Sequence, residues 1–459
     1  MAESVSYTKA IQEICAIENE LNLYDVKING MPIWRSVYRR FRDKYIEQRC
    51  NIPPMSNHPT LSIGHQLKSS IISLIQIGKL LFDKSKINYL FYGFPRLEKI
   101  DDTYIDKFCD PIILQTEISN SYIYFERGRS GIHSKPRAIN KQIWTEAIDN
   151  LSIIISKTYS NRYYKKHKKE FNELFKKIND RYPISSSDKK YIITRFLFHR
   201  IKAKFFSRLV HHCGIKAIFA PVMMNWPFLI KSAKDNNIPC YEIQHGITEG
   251  ESPMYSGKYL EDYSPDKFLA FGETSINNFF NLPRKKIVNI GFAFKEYLKN
   301  NNTDSLDAYL IISDPEVTQT MIDICCSLKK YYSDIELAIR FHPLEKPNNE
   351  QLIQLSRYNI HIDNNNVNSS LAILKYQGII GEKSTVLYES LSLDKKTAKL
   401  HLMNLNLEID EDEEREKGFF IINKITDFDK FMQNNEISLH SEYYSDFKPD
   451  IFYNEILKK

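Results

Sequence analysis

Two doubly wound α/β domains with parallel sheets, preceded by a helical segment, are what this sequence predicts, and three observations carry the prediction. Short continuous apolar runs such as Ala217–Pro221 and Ala308–Ser313 recur along the chain, as strands buried on both faces require. Helical stretches alternate with them through short connections, the signature of a parallel sheet covered by helices. A polar run without periodicity, Lys299–Ser305, separates two such series. A chain of 459 residues is long enough for two to three domains, each with its own core.

Taken in order, residues 1–85 read as helical, with Pro53–Pro54 as a break. Within them Ile33–Ile46 sets Trp34, Val37, Phe41 and Tyr45 at helical spacing among Arg35, Arg39, Arg40, Arg42 and Lys44, a pattern shared by interfacial and ordinary surface helices. Ile87–Phe94 and Ser121–Phe125 are the first two strands. Helices over 162–180 and 188–208 follow. Then come strands at Ala217–Pro221, Ile238–Gln244, Lys267–Phe271 and Ile287–Ile290, with a helix at Trp226–Asn236. The second series places strands at Ala308–Ser313, Glu336–Phe341, Asn359–Ile362, Gly378–Gly381 and Thr397–Leu400. Helices fill 316–332, 348–357, 369–376 and 384–391. The expected organisation is a helical segment 1–85, a Rossmann-like domain 86–298 with a basic helical insertion 157–208, and a second Rossmann-like domain 306–459.

Apolar types make up 42% and charged types 26%, which excludes collagen-like, low-complexity and largely disordered classes. Seven cysteines without a CxxC pair suit a reducing compartment. The first twenty residues carry acids and no apolar core, so a secretory signal is not expected, and Ser69–Phe82 is too short and too interrupted to span a bilayer. A cytoplasmic location is expected. The net charge of +6 conceals an asymmetry: Lys157–Phe206 holds 15 Lys/Arg against 4 Asp/Glu, an excess of 11, so the remainder sums to −5. That stretch is either a solvated helical face or a surface for anionic lipid or an anionic acceptor. Without a reader motif, nucleic acid is not an expected partner.

Open parallel sheets bind ligands at the carboxyl ends of their strands. Four such places stand out. Gln244, His245 and Gly246 follow one strand, where glycine permits close backbone approach. Arg340 ends another, followed by His342 and Pro343 at the cleft rim. Gly381, Lys383, Ser384 and Thr385 lead into a helix whose amino end suits a phosphate, with Glu389 further along for a ribose hydroxyl. Asp101, Asp102 and Glu126 lie after the first two strands and, with His245, are candidates for the general base. No Walker loop, GxGxxG, HExxH or GxSxG occurs, and no metal or other cofactor is expected.

The order of residues 244–246, 340–343 and 381–389 resembles that of bacterial glycosyltransferases of the GT-B fold, more narrowly those that build capsule and lipopolysaccharide chains. The likeness covers roughly residues 215–400. In the CMP-sugar-using members an HP motif and a Ser/Thr motif hold the nucleotide. The resemblance therefore implies that His342 touches the donor phosphate and that Ser384 and Thr385 cradle it. Glu249-Gly250-Glu251 is a loose echo of the family's acidic motif. The implied activity is metal-independent transfer from a CMP- or UDP-linked sugar to a capsule or O-antigen glycan, on a lipid-linked or free acceptor at the inner membrane surface. A CDP-glycerol-type polyol-phosphate transferase, a non-catalytic partner in a polysaccharide assembly complex and a soluble nucleotide-sugar epimerase of similar two-domain shape, which would need no acceptor, are the alternatives.

Overall fold

The computed structural model describes residues 5–51, 63–83, 85–95, 97–128, 132–246, 252–273, 282–299, 306–314, 317–342, 345–364, 368–382, 384–401, 415, 417–433 and 443–458. We number the strands of its two large sheets in chain order. The first sheet contains β1 (Tyr89–Tyr92), β2 (Tyr122–Glu126), β3 (Gln142–Trp144), β4 (Ala217–Pro221), β5 (Cys240–Ile243), β6 (Lys267–Ala270) and β7 (Ile287–Asn289). The second contains β8 (Leu306–Ile312), β9 (Glu336–Arg340), β10 (His361–Ile362), β11 (Tyr376–Gly381), β12 (Lys396–Leu400) and β13 (Phe420–Ile422).

Every pairing in both sheets is parallel. The strand orders are β3-β2-β1-β4-β5-β6-β7 and β10-β9-β8-β11-β12-β13. Both reverse direction beside their first strand, so each sheet has a switch point: between β1 and β4, and between β8 and β11. This is the expected class, two Rossmann-like doubly wound units. The apolar runs are buried as read: all five residues of β4 and the last five of β8 are buried. Truncating one such side chain, Ile379→Ala for instance, typically costs about 2–5 kcal/mol.

Three features depart from the sequence expectation. β3 and β13 are short edge strands that the pattern did not separate from their surroundings, and antiparallel hairpins occupy 27–32 and 98–105. The basic stretch forms helices Glu146–Lys166, Lys168–Asn179 and Ser186–Cys213. Its aromatic and aliphatic residues are not a free face: Phe171, Leu174, Phe175 and Phe196 form one core with Trp34, Val37 and Phe41. The helical segment is thus tied to the insertion, and the charges lie outside that shared core. A buried ion pair, Arg42 with Glu18 at 2.5 Å, locks this module down. Arg42 also donates to the carbonyls of Pro253 and Ser256 at 2.9 and 2.7 Å. Removing one member of such a pair costs about 3–5 kcal/mol because the other charge stays buried.

The chain end, assigned from sequence to the second unit, lies against the first sheet. Ser445 N–H donates to the Phe271 carbonyl at 2.8 Å, and the rings of Phe452 and Phe219 stand 6.0 Å apart. Gly291 makes that return possible, since a Cβ there would lie 2.0 Å from the Asp446 carbonyl oxygen.

Candidate functional site

The carboxyl ends of the first sheet gather an aromatic and polar pocket. Its floor is β5, where Glu242 and Gln244 are fully buried. Gln244 is used internally: its Oε1 accepts from Phe271 N–H at 2.6 Å, and its Nε2 donates to the Gly246 carbonyl at 2.8 Å. The next residue, His245, is surrounded by the rings of Phe94, Phe108 and Tyr255, 6.0–6.4 Å from its own. Burial first, then the nearby charges of Arg39 and Lys107, push its pKa down to about 4, so the imidazole is neutral.

Glu242 and Tyr255 orient that imidazole. The Tyr255 hydroxyl donates to Glu242 Oε1 at 2.6 Å and stands 3.2 Å from His245 Nδ1. A hydroxyl has one proton, so while it serves Glu242 the bond to His245 runs from Nδ1–H to the tyrosine oxygen. This tautomer leaves Nε2 with a lone pair, and among the described residues it has no hydrogen-bond partner. Glu242 Oε2 accepts from Met224 N–H at 3.1 Å, and burial raises the Glu242 pKa to about 7. Met224 follows Val222, which holds φ 57°, ψ 31° immediately after β4. A β-branched residue in the left-handed region is a strained conformation, here at the switch point of the sheet.

Across the cleft, Ser384 caps the helix Thr385–Ser392, its Oγ accepting from Val386 N–H at 3.4 Å. Thr385 is exposed at the same helix end, and Gly381 packs so closely that a Cβ would lie 3.2 Å from Leu387. Glu389 is buried and already engaged, accepting from Ser370 Oγ at 3.0 Å and pairing with Lys107 Nζ at 2.8 Å. Lys107 belongs to the first unit, so this ion pair joins the two across the cleft, beside His245. Arg340 is also engaged, with Asp363, which in turn accepts from Tyr376 at 2.9 Å. His342 is half-exposed just beyond β9, its backbone N–H donating to Glu345. Pro343, Lys383 and the 249–251 run lie outside the described residues.

The acidic candidates are dispersed. Asp101 and Asp102 form the exposed turn of the 98–105 hairpin, with Asp102 at 3.8 Å from Lys99. Glu126 is buried between His133 Nδ1 at 2.5 Å and Arg137 Nε at 3.0 Å. Burial opposes the charge on His133, but hydrogen bonds to Glu126 and Glu146 outweigh it and raise the histidine's pKa. The structure thus brings Glu389 to Lys107, whose Nζ lies over the Phe108 ring that in turn stands 6.4 Å from His245, while Asp101 and Asp102 sit on an exposed turn and Glu126 in a buried ion-pair network. Glu242 and Tyr255 were missed. The period-2 position of Glu242, two residues before Gln244 on a fully buried strand, was the available signal. Among the described residues no cluster of three His, Cys, Asp or Glu side chains is placed to hold a metal.

No protein-family model matches the chain, and no curated protein matches it. Solved structures do. One is UDP-GlcNAc 2-epimerase from Neisseria meningitidis bound to UDP-GlcNAc, 13% identical, covering 81% of this chain and 100% of that one at a TM-score of 0.49. Another is UDP-GlcNAc 2-epimerase from Methanocaldococcus jannaschii, 11% identical over 81% and 99% at 0.46. A third is the wall teichoic acid polymerase TagF in its H548A form, 11% identical over 87% and 99% at 0.41.

Proposed function

We propose that the protein is a glycosyltransferase that moves a sugar from a nucleotide-sugar donor to a bacterial surface glycan, without a metal. The observation that carries this reading is the neutral His245, tautomer-fixed by Tyr255 and Glu242, on a unit whose Lys107 pairs with Glu389 of the helix that Ser384 caps. Transfer to a hydroxyl needs a base that accepts its proton and a site that accepts the departing phosphate's charge. His245 Nε2 meets the first need. The amino end of the 385–392 helix, with Ser384, Thr385 and His342, meets the second. Closure of the two units excludes water and so protects the donor from hydrolysis.

The test is a thermal-shift series with CMP, UDP, GDP and CDP on wild type and His342→Ala. One nucleotide is expected to stabilise the wild type, by about 2.7 kcal/mol at ~100 times its dissociation constant, and not the variant. CMP points to a sialic acid or Kdo type donor, UDP to a hexose, CDP to polyol-phosphate transfer. Stabilisation by none of the four overturns the reading.

We further propose that the protein works at the inner surface of the cytoplasmic membrane. Among the described residues no helix is long and apolar enough to cross a bilayer. Helices Ile63–Phe82 and Glu146–Lys166 pack side by side and expose Leu67, Leu74, Ile75, Phe82, Leu151 and Ile154. The first of these helices carries Lys68 and Lys79 and no acid. An apolar face with a basic margin suits an anionic bilayer. Sedimentation with anionic but not zwitterionic vesicles, lost in Leu74→Glu, is the expected result; equal recovery with both vesicle types sinks it.

A further inference from the structure

A second cavity, of about 250 Å³, opens beside the His245 pocket and is lined by cations and aromatic rings. Arg35, Arg39 and Arg40 reach it from the helical segment, Arg195 and His199 from one face of the 186–213 helix, and Trp226 from the loop after β4. The only carboxylate in its lining, Asp43, is paired with Arg39 at 2.8 Å. Among the described residues Arg35, Arg40 and Arg195 have no ion-pair partner.

Arg35 is the decisive one. Its side chain is buried at 5% exposure, its Nη2 donates only to the Met224 thioether at 2.7 Å, and its Nε has no partner. The nearest acid on the strand below, Glu242, spends both oxygens on Tyr255 and Met224. Two more buried polar atoms of the lining, Ser36 Oγ and His199 Nδ1, are likewise without partners. A buried guanidinium held only by a thioether and, at 4.8 Å, the Tyr38 ring has no anion to neutralise it, whereas buried charges are otherwise paired. Arg40 and Arg195 stack on the rings of Tyr191 and Phe198 at 4.0 and 4.8 Å, which orients their planes without neutralising them.

We propose that this cavity is an oxyanion site that holds the phosphate or carboxylate of an anionic acceptor. A guanidinium fork matches either group, and the size suits a single sugar residue or phosphate rather than a larger ligand. Asn225 of the lining adjoins Met224, whose N–H bonds Glu242 beside Tyr255 and His245, so an acceptor anchored here has its hydroxyl end toward the base. Its role as an acceptor site rests on the transferase reading; its affinity for oxyanions does not.

The experiment is ligand-observed saturation-transfer NMR on the full chain, without nucleotide. The probes are glycerol 1-phosphate, N-acetylneuraminate and neutral N-acetylglucosamine. At least one anion is expected to bind and the neutral sugar is not, with the better anion identifying the group. Arg40→Gln and Arg195→Gln should each weaken that anion roughly tenfold, the value of one charge-assisted bond. Arg49→Gln, whose partner is Glu13 outside the cavity, should leave it unchanged. Binding of neither anion, equal binding of the neutral sugar, or unchanged affinity in both cavity variants overturns the proposal. Nucleotide titration of the same samples separates the two claims: a wild type that binds nucleotide but no anion refutes only this one.

Discussion

The two sheets share a strand order and differ at their carboxyl ends. Beside β4 and β5 the first sheet sets side chains against one another: a strained Val222, a buried Glu242, a shared tyrosine hydroxyl and an imidazole kept neutral by burial and neighbouring cations. Beside β11 the second sheet offers a helix amino end, a capping serine and an exposed threonine, with the buried Glu389 tied to Lys107. On the proposed reading, one edge would move a proton and the other would receive phosphate charge. A shared strand order, with one strand more in the first sheet, therefore fixes where strand ends gather but not which side chains meet there.

The largest expected effect tests this division. His245→Asn should lower turnover by about 10²–10⁴, the usual contribution of a general base, while nucleotide affinity measured by calorimetry stays at the wild-type value. His342→Ala should do the reverse, weakening nucleotide first. Loss of nucleotide binding in both variants breaks the comparison.

A smaller effect sharpens it. Glu242 protonated below about pH 7 no longer needs the Tyr255 proton, and the hydroxyl then turns to His245 Nδ1, which forces the ring proton onto Nε2. Activity should therefore rise with pH through about 7. Glu242→Gln should flatten that limb and reduce the plateau. A rate profile whose midpoint is unmoved in this variant assigns the limb to another group.

The smallest concerns the joint between the edges. Lys107 and Glu389 are only 12% and 11% exposed, so their pair is screened less than a surface one. A double-mutant cycle with Lys107→Met and Glu389→Gln should give a coupling of about 0.5–3 kcal/mol in the apparent affinity for donor. Additive losses would place the two units' closure on other contacts.

Much of the fold was legible. Continuous apolar runs with turn residues behind them gave eleven strands of the two sheets, because a strand buried on both faces leaves no polar position to blur the pattern. β3 and β13 escaped because three residues carry too few positions to show a period and no glycine closes either run, as Gly291 closes that of the equally short β7. Of the candidate site, the strand-end rule pointed to His245, Ser384 and Thr385, which the proposed function uses. It pointed equally to Asp101, Asp102 and Glu126. The structure puts the first two on an exposed turn and the third in a buried ion-pair network.

Local chemistry, read from the sequence alone, was enough to set the class of fold, the places where strands end and the presence of a strongly basic stretch. Those depend on periodicity, turn residues and charge counts within short windows. Which basic residues face solvent and which converge was decided by the tertiary structure. Arg35 and Arg195 are 160 residues apart, and only the packing of the helical segment on the 186–213 helix brings them to one cavity. The same holds for Tyr255 and Lys107 at His245. An isolated side chain has the pKa and tautomers of its type. Burial, neighbouring charge and a shared hydrogen bond select among them, and those are properties of contacts that distant segments make.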